Sequence, residues 1–302
     1  MAYFRAMFAL DTPKRKAYLY MHLSILLWGL TGVFGRGIHL DAELLVWYRM
    51  LITAISMFTF ILFTKTSLRV SRTSFFKLAG IGTVLAIHWV FFYSAIKASN
   101  ISIALSMLAS QGLFTALAEP LVSKKKFKWD ELIFSVTAMI GIWLIFSVEK
   151  SYTRGIIYGL LASFIGAFFN ILNKKVVDEH GPALVSFYEI LVGFVVLSLY
   201  MPIFIHYSQP VKLLPNALDW VQLIVLAVLC THVTLVLSLA ALRHLSVFTL
   251  NLSINLEPVY TIALAFLIFH ENKHLHTGFF IGAAIIMSSV VLETYFQSRS
   301  KP

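Results

Sequence analysis

Residues 182–206, PALVSFYEILVGFVVLSLYMPIFIH, decide the fold class. Glu189 is the single Asp, Glu, Lys or Arg in this stretch, so the segment is apolar over nearly its whole length. A helix needs roughly 20 apolar residues to cross the hydrocarbon core of a bilayer. The stretch therefore predicts a transmembrane helix.

The composition of the whole chain extends this conclusion. The protein has 302 residues, of which 59% are hydrophobic and 13% are charged, and its mean hydropathy is +0.83. A soluble globular protein carries about 25% charged residues. Because apolar runs recur along the whole sequence, the composition argues against a water-soluble enzyme. It also excludes a disordered chain and a soluble domain with a single membrane anchor.

Ten apolar runs are present, and each is predicted to be a helix because backbone groups that face lipid must be hydrogen-bonded within their own segment. We therefore predict an all-α integral membrane protein with ten transmembrane helices. The predicted helices span residues 17–35, 44–64, 74–97, 101–122, 131–148, 155–176, 182–206, 218–242, 246–269 and 277–296.

The distribution of Lys and Arg predicts the orientation in the membrane. The chain has 24 Lys and Arg against 14 Asp and Glu, a net charge of +10. In a membrane protein this excess indicates loops that face the cytoplasm and anionic headgroups, rather than nucleic-acid binding. With the N-terminus inside, 17 of the 24 basic residues are cytoplasmic, six are outside and Arg49 lies within a helix. Both termini are predicted to be cytoplasmic, and the membrane a bacterial inner membrane.

The two halves of the sequence resemble each other. Residues 95–125 match residues 241–271 at a constant offset of 146. The paired positions include Lys97 with Arg243, Gln111 with Glu257, and Thr115 with Thr261. In the second helix of each half, Trp47-Tyr48-Arg49 corresponds to Phe187-Tyr188-Glu189.

This similarity predicts two five-helix repeats, residues 1–150 and 151–302. Because each repeat has an odd number of helices, the second enters the membrane upside down relative to the first. Inverted repeats of this kind recur in transporters that bind their substrate near the bilayer midplane.

Three short motifs carry a resemblance to a known family. They are Leu26-Leu27-Trp28-Gly29, Tyr93-Ser94-Ala95-Ile96-Lys97, and Leu256-Glu257-Pro258-Val259-Tyr260-Thr261 followed by His270-Glu271. With ten helices in two repeats, the chain resembles the EamA family of the drug/metabolite transporter superfamily. In the first half, Gly112 replaces the family's usual proline and Lys125 its usual terminal glutamate.

The resemblance implies that the first four helices of each repeat surround a central cavity and that the fifth is peripheral. It also implies small polar substrates, often amino acids, that usually move outward. No ATP-binding motif is visible in the sequence, so a gradient or substrate exchange is expected to drive transport. We predict a secondary transporter that exports a small metabolite, such as an amino acid or related zwitterion, by alternating access.

The candidate site centres on Glu257, near the middle of the predicted helix 246–269. Ser253 and Thr261 lie one turn away on the same face, and Gln111 is the matched residue of the first half. Polar residues at this depth normally face a cavity or a partner, so Glu257 is predicted to bind substrate or carry protons. The alternative is that it only forms a hydrogen bond between helices.

Pro258 adds a local irregularity, because proline has no N–H to donate to the carbonyl of Ile254. Two interpretations follow. The freed carbonyl could bind a ligand, or the resulting kink could serve only packing.

Arg49 and Glu189 are predicted to lie on opposite sides of the midplane, each lining one entrance to the cavity. For Arg49 the alternative is that its side chain extends to the headgroups. For Glu189 the alternative is an ion pair with Lys174 or Lys175. Further substrate-binding candidates are the aromatic and amide residues Trp28, Tyr48, Trp89, Asn170, Tyr188 and Asn251.

Some of these side chains have a structural alternative. Asn251 does not share the face of Glu257 and could instead hold helices together. Trp89 could face lipid. His88 and His232 are candidate proton relays together with Glu257, because imidazole changes charge near neutral pH, or they could be packing residues.

One motif points to a different function. His270-Glu271-Asn272-Lys273-His274 matches the zinc-protease pattern H-E-x-x-H. That chemistry needs a regular helix and a third ligand, whereas this match falls in a short polar connection. An intramembrane zinc protease and a membrane scaffold without a solute path are the alternatives to a transporter. We predict no enzyme activity, catalytic residue, metal or cofactor.

Overall fold

The computed structural model describes residues 12–146, 152–208, 211–260 and 277–299. All the regular structure within these ranges is helical. The α-helices are α1 (Thr12–Gly37), α2 (Ala42–Thr64), α3 (Arg72–Ala98), α4 (Ile101–Leu108), α5 (Gln111–Ser123), α6 (Trp129–Phe146), α7 (Thr153–His180), α8 (Pro182–Tyr207), α9 (Ala217–Ala227), α10 (Thr234–Leu242), α11 (Val247–Ser253) and α12 (Thr277–Arg299). A π-helical segment, Val228–Val233, joins α9 to α10, and a 3₁₀ turn, Ile254–Leu256, follows α11.

The predicted helices agree with these elements to within five residues at each described end. Seven helical segments of the described residues are long and apolar enough to cross a membrane, and Phe280–Phe296 is a shorter apolar helix. The seven are α1, α2, α3, Ile103–Ser123 within α4 and α5, α7, α8, and Ala217–Leu242 across α9 and α10. An all-helical membrane protein is therefore confirmed. The second half of the predicted helix 246–269 lies outside the described residues, and the number of ten transmembrane helices stays a prediction.

In each half of the chain one helix is interrupted, and the two interruptions lie 146 residues apart in the sequence. In the first half, α4 ends at Leu108 and α5 begins at Gln111. In the second half, the 3₁₀ turn Ile254–Leu256 occupies the matched positions. The predicted helix over residues 101–122 is therefore interrupted at residues 109–110, while Ile103–Ser123 remains one apolar segment long enough to cross a membrane.

Pro258 accounts for the second interruption. The N–H of Glu257 donates to the carbonyl of Ile254, three residues back, because Pro258 has no N–H to occupy that carbonyl. The carbonyl that the sequence left open as a ligand group thus accepts a backbone hydrogen bond.

The two interrupted segments also begin alike. Asn100 accepts from the N–H of Ile103 and Ser246 from that of Thr249, both at 2.9 Å.

Helices of the two halves pack against one another throughout the core. The helix α3 lies along α7 and α8, α1 lies along α10, and α2 lies along α8. By contrast, α6 and α12 pack mainly on each other. Gly141 permits this contact, since a Cβ there would lie 2.8 Å from the carbonyl oxygen of Gly282.

Candidate functional site

Side chains from both halves surround a central cavity of about 90 Å³. One water molecule needs roughly 10–15 Å³ of such space, so the cavity can hold several waters or part of a small solute. Among the described residues, α6, α8, α9, α11 and α12 contribute none of the lining. It consists of Trp28, Thr31, Arg49, Leu85, His88, Trp89, Phe92, Leu108, Gln111, Gly166, Phe169, Asn170, Thr231, Thr234, Leu235, Ser238, Ile254 and Glu257.

Twelve of these lining residues form six pairs, each separated by 146 positions in the sequence. The pairs are Leu85 with Thr231, His88 with Thr234, Trp89 with Leu235, Phe92 with Ser238, Leu108 with Ile254, and Gln111 with Glu257. The register seen in residues 95–125 therefore extends backward into α3 and its counterpart. The two halves present matched backbone positions to one cavity.

Arg49 is the buried cation of this cavity, with 3% of its surface exposed. Its Nε donates to the hydroxyl of Thr231 at 2.7 Å and its Nη1 donates to the hydroxyl of Tyr93 at 2.8 Å. The guanidinium carbon lies 3.8 Å from the ring centroid of Trp89, which is a cation–π contact. The side chain thus points into the protein and does not extend to the headgroups.

The guanidinium keeps hydrogen-bonding capacity for a ligand. Arginine has five N–H groups, and the two bonds to Thr231 and Tyr93 leave three that no described residue accepts. No Asp or Glu of the described residues lies within 4 Å of Arg49. An anionic group entering the cavity would therefore meet an available fork of donors.

The π-helical segment Val228–Val233 places Thr231 against Arg49. Its wider turn lets the hydroxyl of Thr231 donate to the carbonyl of Leu226, five residues back, at 2.6 Å. The same oxygen accepts from Nε of Arg49. Single π turns inside α-helices occur frequently at functional sites.

Glu257 lies on the wall that the second half contributes, at the end of the 3₁₀ turn. It is 3% exposed and lines the same cavity as Arg49. Gln111, the matched residue of the first half, lines the same cavity. Among the described residues, the lining presents one arginine and one glutamate to whatever enters the cavity.

A network of amides supports one side of the cavity. The Oδ1 of Asn251 accepts from Gln111 at 2.9 Å and from Asn170 at 2.5 Å. The Nδ2 of Asn251 donates to the hydroxyl of Thr115 at 2.6 Å. Asn251 lies behind the lining, where it joins α5, α7 and α11 and holds two lining amides in place.

A sequence model of the EamA-like transporter family matches the chain twice, over residues 15–147 and 153–295. The chain belongs to this family. Family membership indicates an integral membrane transporter that handles a small molecule, rather than an enzyme.

Individual relatives of this EamA protein are distant but cover most of its length. An uncharacterized transporter of Bacillus subtilis is 23% identical over 83% of this chain and 81% of its own. An uncharacterized transporter of Archaeoglobus fulgidus is 22% identical over 89% of this chain and 93% of its own. A solved crystal structure, 16% identical, superposes with a TM-score of 0.75 over 94% of this chain and 99% of that one. That structure shows a shared fold.

The two candidate histidines of the EamA protein lie in different environments. His88 lines the cavity, and its Nδ1 donates to the carbonyl of Ala162 at 2.7 Å, which leaves Nε2 as the acceptor when the ring is neutral. His232 is off the cavity lining, with its Nδ1 2.8 Å from the hydroxyl of Ser56. The structure does not bring the two rings together.

Several predicted site residues lie away from the cavity. The hydroxyl of Tyr48 donates to the carbonyl of Leu213 at 3.1 Å, and that of Tyr188 donates to the carbonyl of Leu68 at 2.7 Å. Thr261, like the zinc-protease match at residues 270–274, lies outside the described residues.

Glu189 is also off the lining and is fully buried in the contact between α3, α7 and α8. The alternative of an ion pair with a neighbouring lysine is not seen. Lys174 donates to the carbonyls of Leu242 and Arg243, and Lys175 donates to that of Val122 at 3.0 Å.

The sequence did not single out the hydroxyl-bearing residues of one helix that lines the cavity. Thr231, Thr234 and Ser238 belong to a very apolar helix, where their hydroxyls donate to backbone carbonyls of the preceding turn. Thr234 also accepts from the indole N–H of Trp28 at 2.9 Å. Extending the 146-residue register back to His88 would have found Thr234, whereas Thr231 and Ser238 match Leu85 and Phe92, which the sequence did not single out.

Proposed function

We propose that this EamA protein is a secondary transporter that exports a small zwitterionic metabolite, such as an amino acid, by alternating access. The observation that carries the proposal is the presence of Arg49 and Glu257 on the walls of one cavity. A single zwitterion carries one charged group that complements each of these side chains. A carboxylate suits the guanidinium, and an ammonium group suits the carboxylate.

Arg49 is suited to the carboxylate end. A guanidinium binds a carboxylate through two parallel N–H bonds, and charge-assisted bonds of this kind are the strong ones in proteins. Its hydrogen bonds to Thr231 and Tyr93 fix the orientation of the fork before substrate arrives. The bound carboxylate would also neutralise a cation that the described residues leave without an ion-pair partner.

The remaining walls suit a compact substrate. Trp28, Phe92 and Phe169 provide apolar surface, while Thr31 and Ser238 provide hydroxyls. A volume of about 90 Å³ favours a small solute over a drug-sized one. These features support an amino acid or a molecule of similar size and charge.

Alternating access is supported by matched contacts at the ends of the cavity helices. In the first half, Lys97 at the end of α3 donates to the carbonyl of Ile38 at 2.5 Å. In the second half, Arg243, the residue matched to Lys97, lies 3.4 Å from Asp178. Exposed ion pairs are worth roughly 0–1 kcal/mol, so a contact of this kind can break in every cycle.

We place the Lys97 contact on the outer side of the membrane and the Arg243 contact on the cytoplasmic side. This placement assumes two inverted five-helix repeats, residues 1–150 and 151–302. Ten helices in a bacterial inner membrane would leave both termini in the cytoplasm. A fluorescent reporter that matures only in the cytoplasm, fused after Pro302, should be bright. A dark fusion with periplasmic reporter activity would contradict this topology.

Competition measurements in proteoliposomes test the substrate class. Wild-type protein should transport labelled amino acids from a mixed panel, and an unlabelled zwitterion should compete. The decarboxylated amine and the deaminated acid of the same substrate should compete at least about tenfold less well, since each loses one charged contact. Equal competition by all three compounds would reject the zwitterion.

Export is tested with the same protein in oriented vesicles and in cells. Cells that carry the gene should accumulate the substrate in the medium faster than cells without it. Faster uptake in place of release would reverse the proposed direction but leave the substrate class intact.

A further inference from the structure

The helix that carries the lining hydroxyls of Thr231, Thr234 and Ser238 has one residue more than α3, its counterpart in the first half. At their N-terminal ends the two helices match at 145 positions. There the caps Ser71 and Asn216 each accept from the N–H three residues on, at 3.1 and 2.7 Å. Further along, the lining pairs on these helices match at 146 positions. The second half therefore has one inserted residue between its cap and Thr231.

The π-helical segment Val228–Val233 accommodates that residue. Before it, Leu223 matches Leu78 at 145 positions, and both side chains are buried. After it, Leu239 matches Tyr93 at 146 positions, and both are again buried. An inserted residue in a regular α-helix would rotate one end by about 100° relative to the other. The wider π turn absorbs the extra residue, so both faces stay buried.

Side chains of α2 hold this turn from the other half of the chain. The hydroxyl of Thr53 donates to the carbonyl of Ala227, immediately before the turn, at 3.1 Å. The Nε of Arg49 donates to the hydroxyl of Thr231, within the turn, at 2.7 Å. Arg49 and Thr53 are four residues apart, so one face of α2 supplies both donors.

The matched contact of the first half is built differently. There α8, the counterpart of α2, packs on α3 through glycines. A Cβ on Gly82 would lie 2.4 Å from the carbonyl oxygen of Glu189, and a Cβ on Gly193 would lie 3.0 Å from that of Gly82. The helix α3 is a single α-helix over Arg72–Ala98. Polar donors from α2 thus accompany the π turn, whereas close glycine contacts accompany the regular helix.

We propose that the π turn is the joint at which the wall contributed by the second half moves, and that Arg49 and Thr53 hold it in its π form. If the turn became α-helical, α10 would rotate about 100° and shift about 1.5 Å relative to α9. Thr234 and Ser238 would then leave the cavity lining. A carboxylate on Arg49, a step that rests on the proposed function, would compete with Thr231 for the guanidinium and release the joint.

The single cysteine of the chain reports on the joint. Cys230 lies within the π turn and is 0% exposed, so its thiol reacts with a maleimide only when this region opens. The rate of N-ethylmaleimide labelling is measured on the purified full-length protein without substrate. Thr53→Val and Arg49→Lys should each label at least about threefold faster than wild type, because each loses a hydrogen bond to this region.

Two further variants of α2 are the controls. Thr53→Ser keeps the hydroxyl and should label at close to the wild-type rate, which distinguishes the hydrogen bond from packing. Thr59→Val removes a hydroxyl that donates to the carbonyl of Ile55 in its own helix at 2.8 Å. It should also label at the wild-type rate.

Removing one residue tests the insertion itself. Deletion of Leu229 should convert the π turn into a regular helix like α3, and the protein should fold with a melting temperature close to that of wild type. In that background Thr53→Val should no longer change the labelling rate. Deletion of Val84, at the matched place in α3, is the control. It should prevent folding, because α3 has no extra residue to lose.

Two results would overturn the proposal. One is equal labelling of wild type, Thr53→Val and Arg49→Lys. The other is a loss of folding on deletion of Leu229 that is as severe as on deletion of Val84. Because no flux is measured, either result leaves the zwitterion proposal to its own competition experiment.

Discussion

The two walls of the cavity come from matched positions of the two halves, yet they differ in chemistry. In the first half, His88, Trp89 and Phe92 give an aromatic wall. In the second half, Thr234, Leu235 and Ser238 stand at the same positions, and hydroxyls replace two of the rings. The pair Gln111 and Glu257 extends the contrast, because the second half carries the carboxylate.

The repeat therefore determines where side chains reach the cavity but not their chemistry there. A symmetric pair of walls could not distinguish one end of a substrate from the other. With rings on one wall, a carboxylate on the other and Arg49 contributed by the first half, a zwitterion of the proposed kind would have one preferred orientation. Replacing a residue of the second half by its counterpart in the first should therefore weaken that preference in a measurable way.

The largest effect is expected from Ser238→Phe, which introduces the side chain of Phe92 at the matched position. A second phenyl ring would fill much of a cavity of about 90 Å³. Flux in proteoliposomes should fall at least about a hundredfold, or roughly 2.8 kcal/mol. Ser288→Phe on the exposed face of α12 is the matched control and should transport normally. Normal flux in Ser238→Phe would show that this cavity is not the substrate path.

Arg49→Lys should reduce flux about thirtyfold, roughly 2 kcal/mol, because lysine retains the charge but loses the planar fork. It also loses the two hydrogen bonds that orient the group toward Thr231 and Tyr93. The measurement is initial uptake rate at equal protein, with Arg72→Lys at the start of α3 as the control. If Arg49→Lys retains wild-type rates, a point charge suffices and bidentate binding is rejected.

Asn251→Leu introduces the residue that the first half has at the matched position, Leu105. Gln111 and Asn170 would lose their shared acceptor. Flux should fall about tenfold, and the melting temperature should drop by several degrees, since buried amides left unpaired cost about 1–3 kcal/mol.

Asn255→Ala is the matched control for Asn251→Leu. It copies Ala109 of the first half at a buried position off the cavity lining, and it should change flux by less than about twofold. Equal losses in the two variants would mean that the amide network has no special role at the site.

The smallest effect is expected from Thr234→Val, which keeps the shape but removes the acceptor for the indole N–H of Trp28. One neutral hydrogen bond contributes about 0.5–1.5 kcal/mol, so flux should fall roughly threefold. Thr137→Val on α6, where the hydroxyl bonds only to its own helix, should be silent. A loss as large as that in Arg49→Lys would mean that Thr234 contacts the substrate itself.

Much of the fold could be predicted from the sequence because a bilayer imposes long apolar helices with charges at their ends. The break between α4 and α5 could not, since neither Ala109 nor Ser110 prevents a helix. The break is recognised only by comparison with the matched interruption at residues 254–256, which Pro258 explains.

A residue of the cavity lining was predictable where a polar residue interrupts an apolar helix, as Glu257 and Arg49 do. It was not predictable where the side chain is ambiguous. Thr231 resembles any threonine that bonds to its own helix until the π turn is seen. Likewise, helix register alone could not show that Glu189 faces Asn173 rather than the cavity.

We expect Glu257 to give the second wall its charge, and Glu257→Gln tests this role by copying Gln111 onto that wall. Glutamine has nearly the same shape, so the variant should fold and insert normally. Substrate flux in proteoliposomes, measured at equal protein and at two pH values, should fall at least about tenfold, corresponding to roughly 1.4 kcal/mol. Wild-type flux with wild-type pH dependence in Glu257→Gln would contradict the account.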